Sequence, residues 1–210
     1  SARGVALEYP EGLQTESNAN LTLTLGGAGP TLAGRVDVLG GSYREPLLVS
    51  SRALSAWRQA GRPVIHVQHM SVEPGSPLRP RLPGNAFKPG GAPLPGEAIF
   101  RKTVNSAFIK TTLEAHLPAR QIDALVIVGL TTDHCVSTTT RMAGNLGFDV
   151  TLVSDATATF ERTGPDGAHH SAEQMHQLAL ASLHREFATV RETHEVLAEI
   201  PSPPTERCKN

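Results

Sequence analysis

The sequence predicts an α/β fold built on a mainly parallel sheet with helices on both faces. Two observations carry this. From Arg62 onward, short apolar runs alternate with longer stretches of helical periodicity. The runs Leu125-Val126-Ile127-Val128 and Val150-Thr151-Leu152-Val153 are also β-branched and nearly continuous in hydrophobicity, as strands buried on both faces are. Parallel neighbours need a crossover connection, and the helical stretches supply it.

The elements follow in order. Val5 to Tyr9, Leu21 to Leu25 and Val36 to Leu39 are short strand candidates, with Gly26 to Pro30 breaking the second. Residues 10–44 as a whole read as irregular. Pro46 to Ala60 is a helix with Val49, Ala53, Trp57 and Ala60 on one stripe, stopped by Gly61 and Pro63. Pro63 to Val67 is a strand. Residues 71–97, crowded with Pro and Gly, form a loop long enough to be functional. Thr111 to Leu117 opens a helix, with Thr111 and Glu114 as a capping box. Leu125 to Val128 is a strand, and Val136 to Leu146 a helix closed by Gly147. Val150 to Val153 is a strand closing at Ser154-Asp155. Ser171 and Gln174 cap a helix reaching His184, with Met175, Leu178, Ala179 and Leu183 as its buried face. Ala188 to Val190 is an edge strand and Thr193 to Ile200 a last helix. Pro201 to Asn210 is a polar, flexible tail. The 210 residues suit a single domain over residues 1–210.

Composition narrows the function. Nineteen Lys plus Arg against 20 Asp plus Glu leave a formal charge of −1. That gives no basic footprint for nucleic acid and no polybasic membrane patch. No apolar stretch approaches the roughly 20 residues of a membrane span. Two cysteines, Cys135 and Cys208, make no disulfide framework, so a reducing cytoplasmic setting is expected.

Cys135 is the residue that points to chemistry. It lies in Gly129-Leu130-Thr131-Thr132-Asp133-His134-Cys135-Val136, between the end of a predicted parallel strand and the start of a predicted helix. Open α/β sheets place their ligands there. Unpaired amides and the helix dipole at that point favour a thiolate over a thiol. Adjacent side chains seldom face each other, so His134 reads as packing around the thiol rather than its base, and Asp133 as organising the turn. His66 and His69 follow the preceding strand. On strand parity they point to opposite faces, and His69 is a candidate lining the pocket. The loop after them contains no further His, so no metal site is expected. His169, His170 and His176 read as surface.

The segment from Gly129 to Val136 resembles the nucleophile signature of the isochorismatase-like cysteine hydrolases. Phe100-Arg101-Lys102-Thr103-Val104-Asn105-Ser106-Ala107-Phe108 resembles that family's lysine segment, and Lys102 stands 33 residues before Cys135, a usual separation there. Thr138 to Ala143 and Asp155-Ala156-Thr157 also resemble it. The resemblance covers about residues 45–190. It implies a three-layer α/β/α, Rossmann-like fold with a six-stranded sheet, assembled as a homodimer or homotetramer. It implies a Cys-Lys-acid triad that hydrolyses a small amide or related C–N bond, without a cofactor; the alternatives are a catalytically impaired binding protein of the same fold, or a vinyl-ether hydrolase. It maps a cis peptide onto Leu130-Thr131 and an oxyanion hole onto the amides of Thr131 and Cys135. The acid departs from the family pattern, since no Asp-x-Gln segment stands near the start. Glu8 is the favoured candidate, with ample chain before Gly61 for a loop and helix. Asp37 is the alternative, close before Gly61. Phe87, Phe100 and Phe108 are the candidate pocket walls.

Overall fold

A computed structural model of the protein describes residues 2–8, 14–26, 29–42 and 45–200, with side chains over 49–88 and 90–200. The chain divides into two compact units, Ser1–Leu48 and Val49–Asn210. In the first, β1 (Ala2–Glu8) pairs antiparallel with β2 (Gln14–Gly26), and β2 pairs antiparallel with β3 (Gly29–Ser42). The expectation that residues 10–44 are irregular is therefore corrected. The period-two alternation of Leu and Thr from Leu21 to Leu25 lies within a long hairpin in which Gly26 stands opposite Gly29.

The second unit carries the α/β pattern. Helix α1 (Glu45–Gln59) leads into β4 (Ile65–His69), which pairs parallel with β5 (Ala98–Lys102). β6 (Ala124–Leu130), β7 (Asp149–Ala158) and β10 (Thr189–Arg191) form a second parallel group in the order β10-β7-β6. The two-stranded ribbon of β8 (Arg162–Thr163) and β9 (His169–His170) is antiparallel. The expected six-stranded sheet is thus five parallel strands in two hydrogen-bonded groups, and among the described residues no strand pairs the second edge of β4 or of β6.

Two apolar clusters cover the two faces of β7, as the alternation of a strand requires. Val150 and Leu152 pack with Leu113, Leu117, Ala143, Leu180 and Leu183. These come from α2 (Leu113–Ala119), α3 (Ser137–Asn145) and α4 (Ala172–Leu183). Val153 and Ala156 pack with Val49, Trp57 and Val196, from α1 and α5 (Thr193–Ala198). The helix stripe on α1 expected from Val49 and Trp57 therefore meets the sheet.

Several boundaries move. β4 lies two residues later than expected, and β7 runs on past Asp155 to Ala158. Asp155 Oδ1 accepts from both the amide and the hydroxyl of Thr193 at 2.8 Å, fixing the start of α5. The capping box at Thr111 does not form: α2 begins at Leu113, and the Thr111 hydroxyl donates to Ala107 O at 2.6 Å instead. The box at Ser171 and Gln174 does form. On α4, Leu178 is exposed while Leu180 and Leu183 are buried, so the buried face is rotated from the expected one. Gly147 takes φ +88°, the left-handed turn that ends α3. The tail 201–210, with Cys208, lies outside the described residues.

Candidate active site

Three parallel strands end together. β4 ends at His69 and β5 at Lys102, which are register partners, and β6 ends at Leu130 just before the cysteine turn. Gly129 adopts φ +121°, where a side chain would be strained, and the Leu130-Thr131 peptide is cis, at the expected bond. The chain then makes one π-helical turn, Thr132–Val136, before α3 begins. The helix expected from Val136 is thus preceded by a wider turn that holds Cys135. Thr131 O accepts from the amides of His134 at 3.1 Å and Val136 at 3.2 Å, closing that turn.

Lys102 is the second feature. It is buried, with its Nζ 3.1 Å from Cys135 Sγ. The ammonium has three hydrogens. The other two contacts are Val104 O at 3.1 Å and His69 Nδ1 at 3.3 Å. His69 can accept there only when neutral. Burial first, and then the Lys102 charge, hold its pKa below the ordinary histidine value, so it is neutral at neutral pH. Asn105 Oδ1 stands 3.8 Å from Sγ.

These groups line a cleft of about 660 Å³ that also takes in Phe87, Thr131, His134, Phe160 and Arg162. No Asp or Glu is among the described residues lining it. The long loop contributes Leu78, Asn85 and Phe87, in keeping with a functional loop. Asn85 organises it, donating to His69 O at 2.6 Å and to Leu78 O at 2.9 Å while its own carbonyl accepts from Gln68.

Of the expected pocket residues, His69 and Phe87 line the cleft and Phe100 and Phe108 do not. Phe108 is a core residue 5% exposed and stacked on Phe148, and Phe100 packs edge-on to His116. Phe108 belongs to the core cluster beside β7, and Phe100 packs against it. His66 does not line the cleft, and its Nε2 meets Glu97 at 2.7 Å. Glu8 and Asp37 lie in β1 and β3, and their side chains are outside the described set.

Other residues were not legible in advance. Asp133 organises the turn as expected, but through partners far along the chain: the Thr159 hydroxyl and the Arg162 guanidinium. Burial opposes its ionisation, yet those bonds and charges hold its pKa below the ordinary carboxylate value. His176 is no surface residue. Its Nδ1 meets the fully buried Thr132 Oγ1 at 2.9 Å, tying α4 to the cysteine turn, and burial lowers its pKa. Phe160 and Arg162 follow β7 at the sheet's carboxyl edge, where the rule for open α/β sheets could have flagged them.

A parallel sheet whose carboxyl edge holds a thiol against a buried lysine defines a class of hydrolase fold, and comparison with known proteins places it. The chain matches the Isochorismatase domain over residues 39–195. It is 48% identical over 147 residues to the isochorismatase family protein YrdC of Bacillus subtilis (strain 168), covering 70% of this chain and 79% of that protein. It is 30% identical over 179 residues to the ureidoacrylate amidohydrolase RutB of Variovorax paradoxus (strain S110), covering 70% and 71% respectively. The crystal structure of a hydrolase of the isochorismatase family from Chromobacterium violaceum superposes with a TM-score of 0.72 at 44% identity, over 74% of this chain and 81% of that one. The chain belongs to the isochorismatase family of hydrolases.

Proposed function

We propose that the protein is a cysteine hydrolase that cleaves a small amide or related C–N bond through a thioester. The observation that carries this is Lys102 Nζ, buried and 3.1 Å from Cys135 Sγ at the floor of the cleft. The amide specificity of the RutB relative supports the choice of bond. In this reading the Cys135 thiolate attacks the carbonyl carbon, and the amides of Thr131 and Cys135 receive the resulting oxyanion. The C–N bond breaks as the leaving nitrogen takes a proton. Water then adds to the thioester, the C–S bond breaks, and the acid product and thiol are released. Lys102 holds the thiolate by charge throughout. The acid that shuttles the proton is Glu8, with Asp37 as the alternative. Assembly as a homodimer or homotetramer belongs to the same reading, and sedimentation measures it.

Ammonia release from a panel of primary amides and ureido compounds tests the function. Turnover that Cys135→Ala abolishes supports it, and Glu8→Ala and Asp37→Ala then identify the acid by which one loses the rate. No turnover, together with a Cys135 no more reactive toward iodoacetamide than a free thiol, would sink the proposal.

A further inference from the structure

Cys135 sits in a single π-helical turn, a rare and loosely bonded form of backbone. Thr131 O closes that turn by accepting from His134 and Val136. A second fastening comes from outside. Thr132, the first residue of the turn, has no exposed surface, and among the described residues its hydroxyl meets only His176 Nδ1, at 2.9 Å. His176 lies 44 residues further along the chain, in α4. That helix is itself anchored: the box of Ser171 and Gln174 fixes its start, and Leu180 and Leu183 are buried in the core.

Burial gives the contact its weight. A hydroxyl shut away from water is left unsatisfied when its one partner is removed, and the backbone that carries it must shift to recover a bond. The half-buried ring of His176 is held neutral, because burial lowers its pKa. A neutral imidazole has one donor and one acceptor, so a single bond to Thr132 suits either tautomer. Neither Thr132 nor His176 lines the cleft. The pair can therefore reach the reaction only through the backbone of the turn. The amides assigned above to the oxyanion belong to Thr131, directly before Thr132, and to Cys135, within the same turn.

We propose that His176 is a positioning residue of the hydrolase: by holding Thr132 it keeps the amides of Thr131 and Cys135 aimed at the oxyanion. The proposal rests on the cysteine-hydrolase reading above and adds to it a residue of α4 that touches no substrate. Acylation of Cys135 passes through a tetrahedral oxyanion, whereas its alkylation does not. Loss of aim should slow the first and spare the second.

The test compares two reagents at the same thiol in the full chain. With p-nitrophenyl acetate the thiolate adds to the ester carbonyl, the C–O bond breaks, p-nitrophenolate leaves with the electron pair and a thioester remains. With iodoacetamide the thiolate displaces iodide. Both rates scale with the thiolate fraction, so their ratio is independent of it. Nitrophenolate release, corrected for that of Cys135→Ala, gives the first rate, and peptide mapping gives the second. His176→Leu should lower the ratio of acylation to alkylation by about a hundredfold, the scale of a small misplacement. His176→Asn, whose amide can bond Thr132 as donor or acceptor, should restore most of it. A ratio unchanged in His176→Leu, whether both rates hold or both fall, overturns the proposal, as does a His176→Asn no better than His176→Leu. Should His176→Leu fail to fold, Thr132→Val removes the same bond with a side chain of nearly the same shape, and an unchanged ratio there overturns the proposal. A wild-type ratio no higher than that of a free small thiol defeats the hydrolase reading itself. A raised wild-type ratio that these variants leave untouched defeats this inference alone.

Discussion

Lys102 ends β5 and Cys135 sits in the turn after β6, and the proposed chemistry depends on their separation being held. Lys102 is 4% exposed, which is costly for an ammonium unless it is fully bonded, and its three contacts satisfy it. Lys102→Met should slow iodoacetamide labelling of Cys135 at neutral pH by about tenfold, since it removes the cation that stands 3.1 Å from the sulfur. An unchanged labelling rate would show that the contact has no role in activating the thiol. Cys135→Ser should lower turnover by about 10⁶-fold, the scale seen when a nucleophile is lost. Circular dichroism should be unchanged in this variant, because the thiol is only partly buried and its loss opens no core cavity.

At the scale of elements, an ion pair clamps the start of the second unit. Glu97, just before β5, accepts from Arg58 Nε and Nη2 on α1 at 2.7 Å each, from His66 Nε2 on β4 at 2.7 Å, and from the Leu94 amide at 2.8 Å. The Arg58 hydrogen bonds are the chief reason its pKa falls from 4.5 to about 2. The folded state thus binds a proton less readily than the unfolded chain. The clamp's contribution is fully present above pH 4.5 and is lost as pH falls toward 2. With its side chain 13% exposed, partial screening leaves a contribution of about 2 kcal/mol. Urea unfolding between pH 6 and pH 2.5 should show that loss in the wild type and a flatter profile in Glu97→Gln. Parallel profiles would remove the clamp from the stability account. A second element contact is tighter. A Cβ on Gly144 of α3 would stand 2.8 Å from Phe187 O, a backbone atom that cannot rotate away. Gly144→Ala should cost about 1–3 kcal/mol despite the better helix propensity of alanine, as overpacking does. A stability gain in thermal melts would mean that α3 shifts freely.

Legibility in the sequence divides along the same scale. Cys135, Lys102 and His69 could be placed on the site because each stands at or near a strand end, and strand ends have strong local signals, while Phe87 was offered by the Pro- and Gly-rich loop. Phe100 and Phe108 could not be separated from pocket walls, because the sequence does not say which side of a strand or turn an aromatic presents to the core. Glu97, Arg162 and His176 act through partners 26 or more residues away, such as Arg58 for Glu97 and Thr132 for His176, and no local pattern encodes such pairings. The hairpin of β2 and β3 was readable where Leu and Thr alternate strictly and over Val36 to Leu39. Its Gly-rich remainder has too little periodicity to declare itself.

Taken as a whole, the second unit is organised around β7. Its stretch Thr151–Leu152 is paired on both sides, with β6 and with β10. Leu152 and Val153 are essentially solvent-free and point into the two opposite apolar clusters. β4 and β5 pair only with each other among the described residues, and Val67 and Ile99 are each more than a third exposed. Local opening follows buried apolar contact and the number of paired edges. Hydrogen exchange should therefore rank the amides of Val150–Val153 as the slowest, at the free energy of global unfolding. Those of Ile65–His69 and Ala98–Lys102 should open at lower free energy. The consequence reaches the site, because Lys102 rides on the less protected pair while Cys135 follows β6, which is anchored to β7. Sub-denaturing urea should then slow Cys135 alkylation before the β7 amides lose protection, as Lys102 is withdrawn from the thiol. Loss of both in one step would show instead that the two strand groups unfold as one cooperative body.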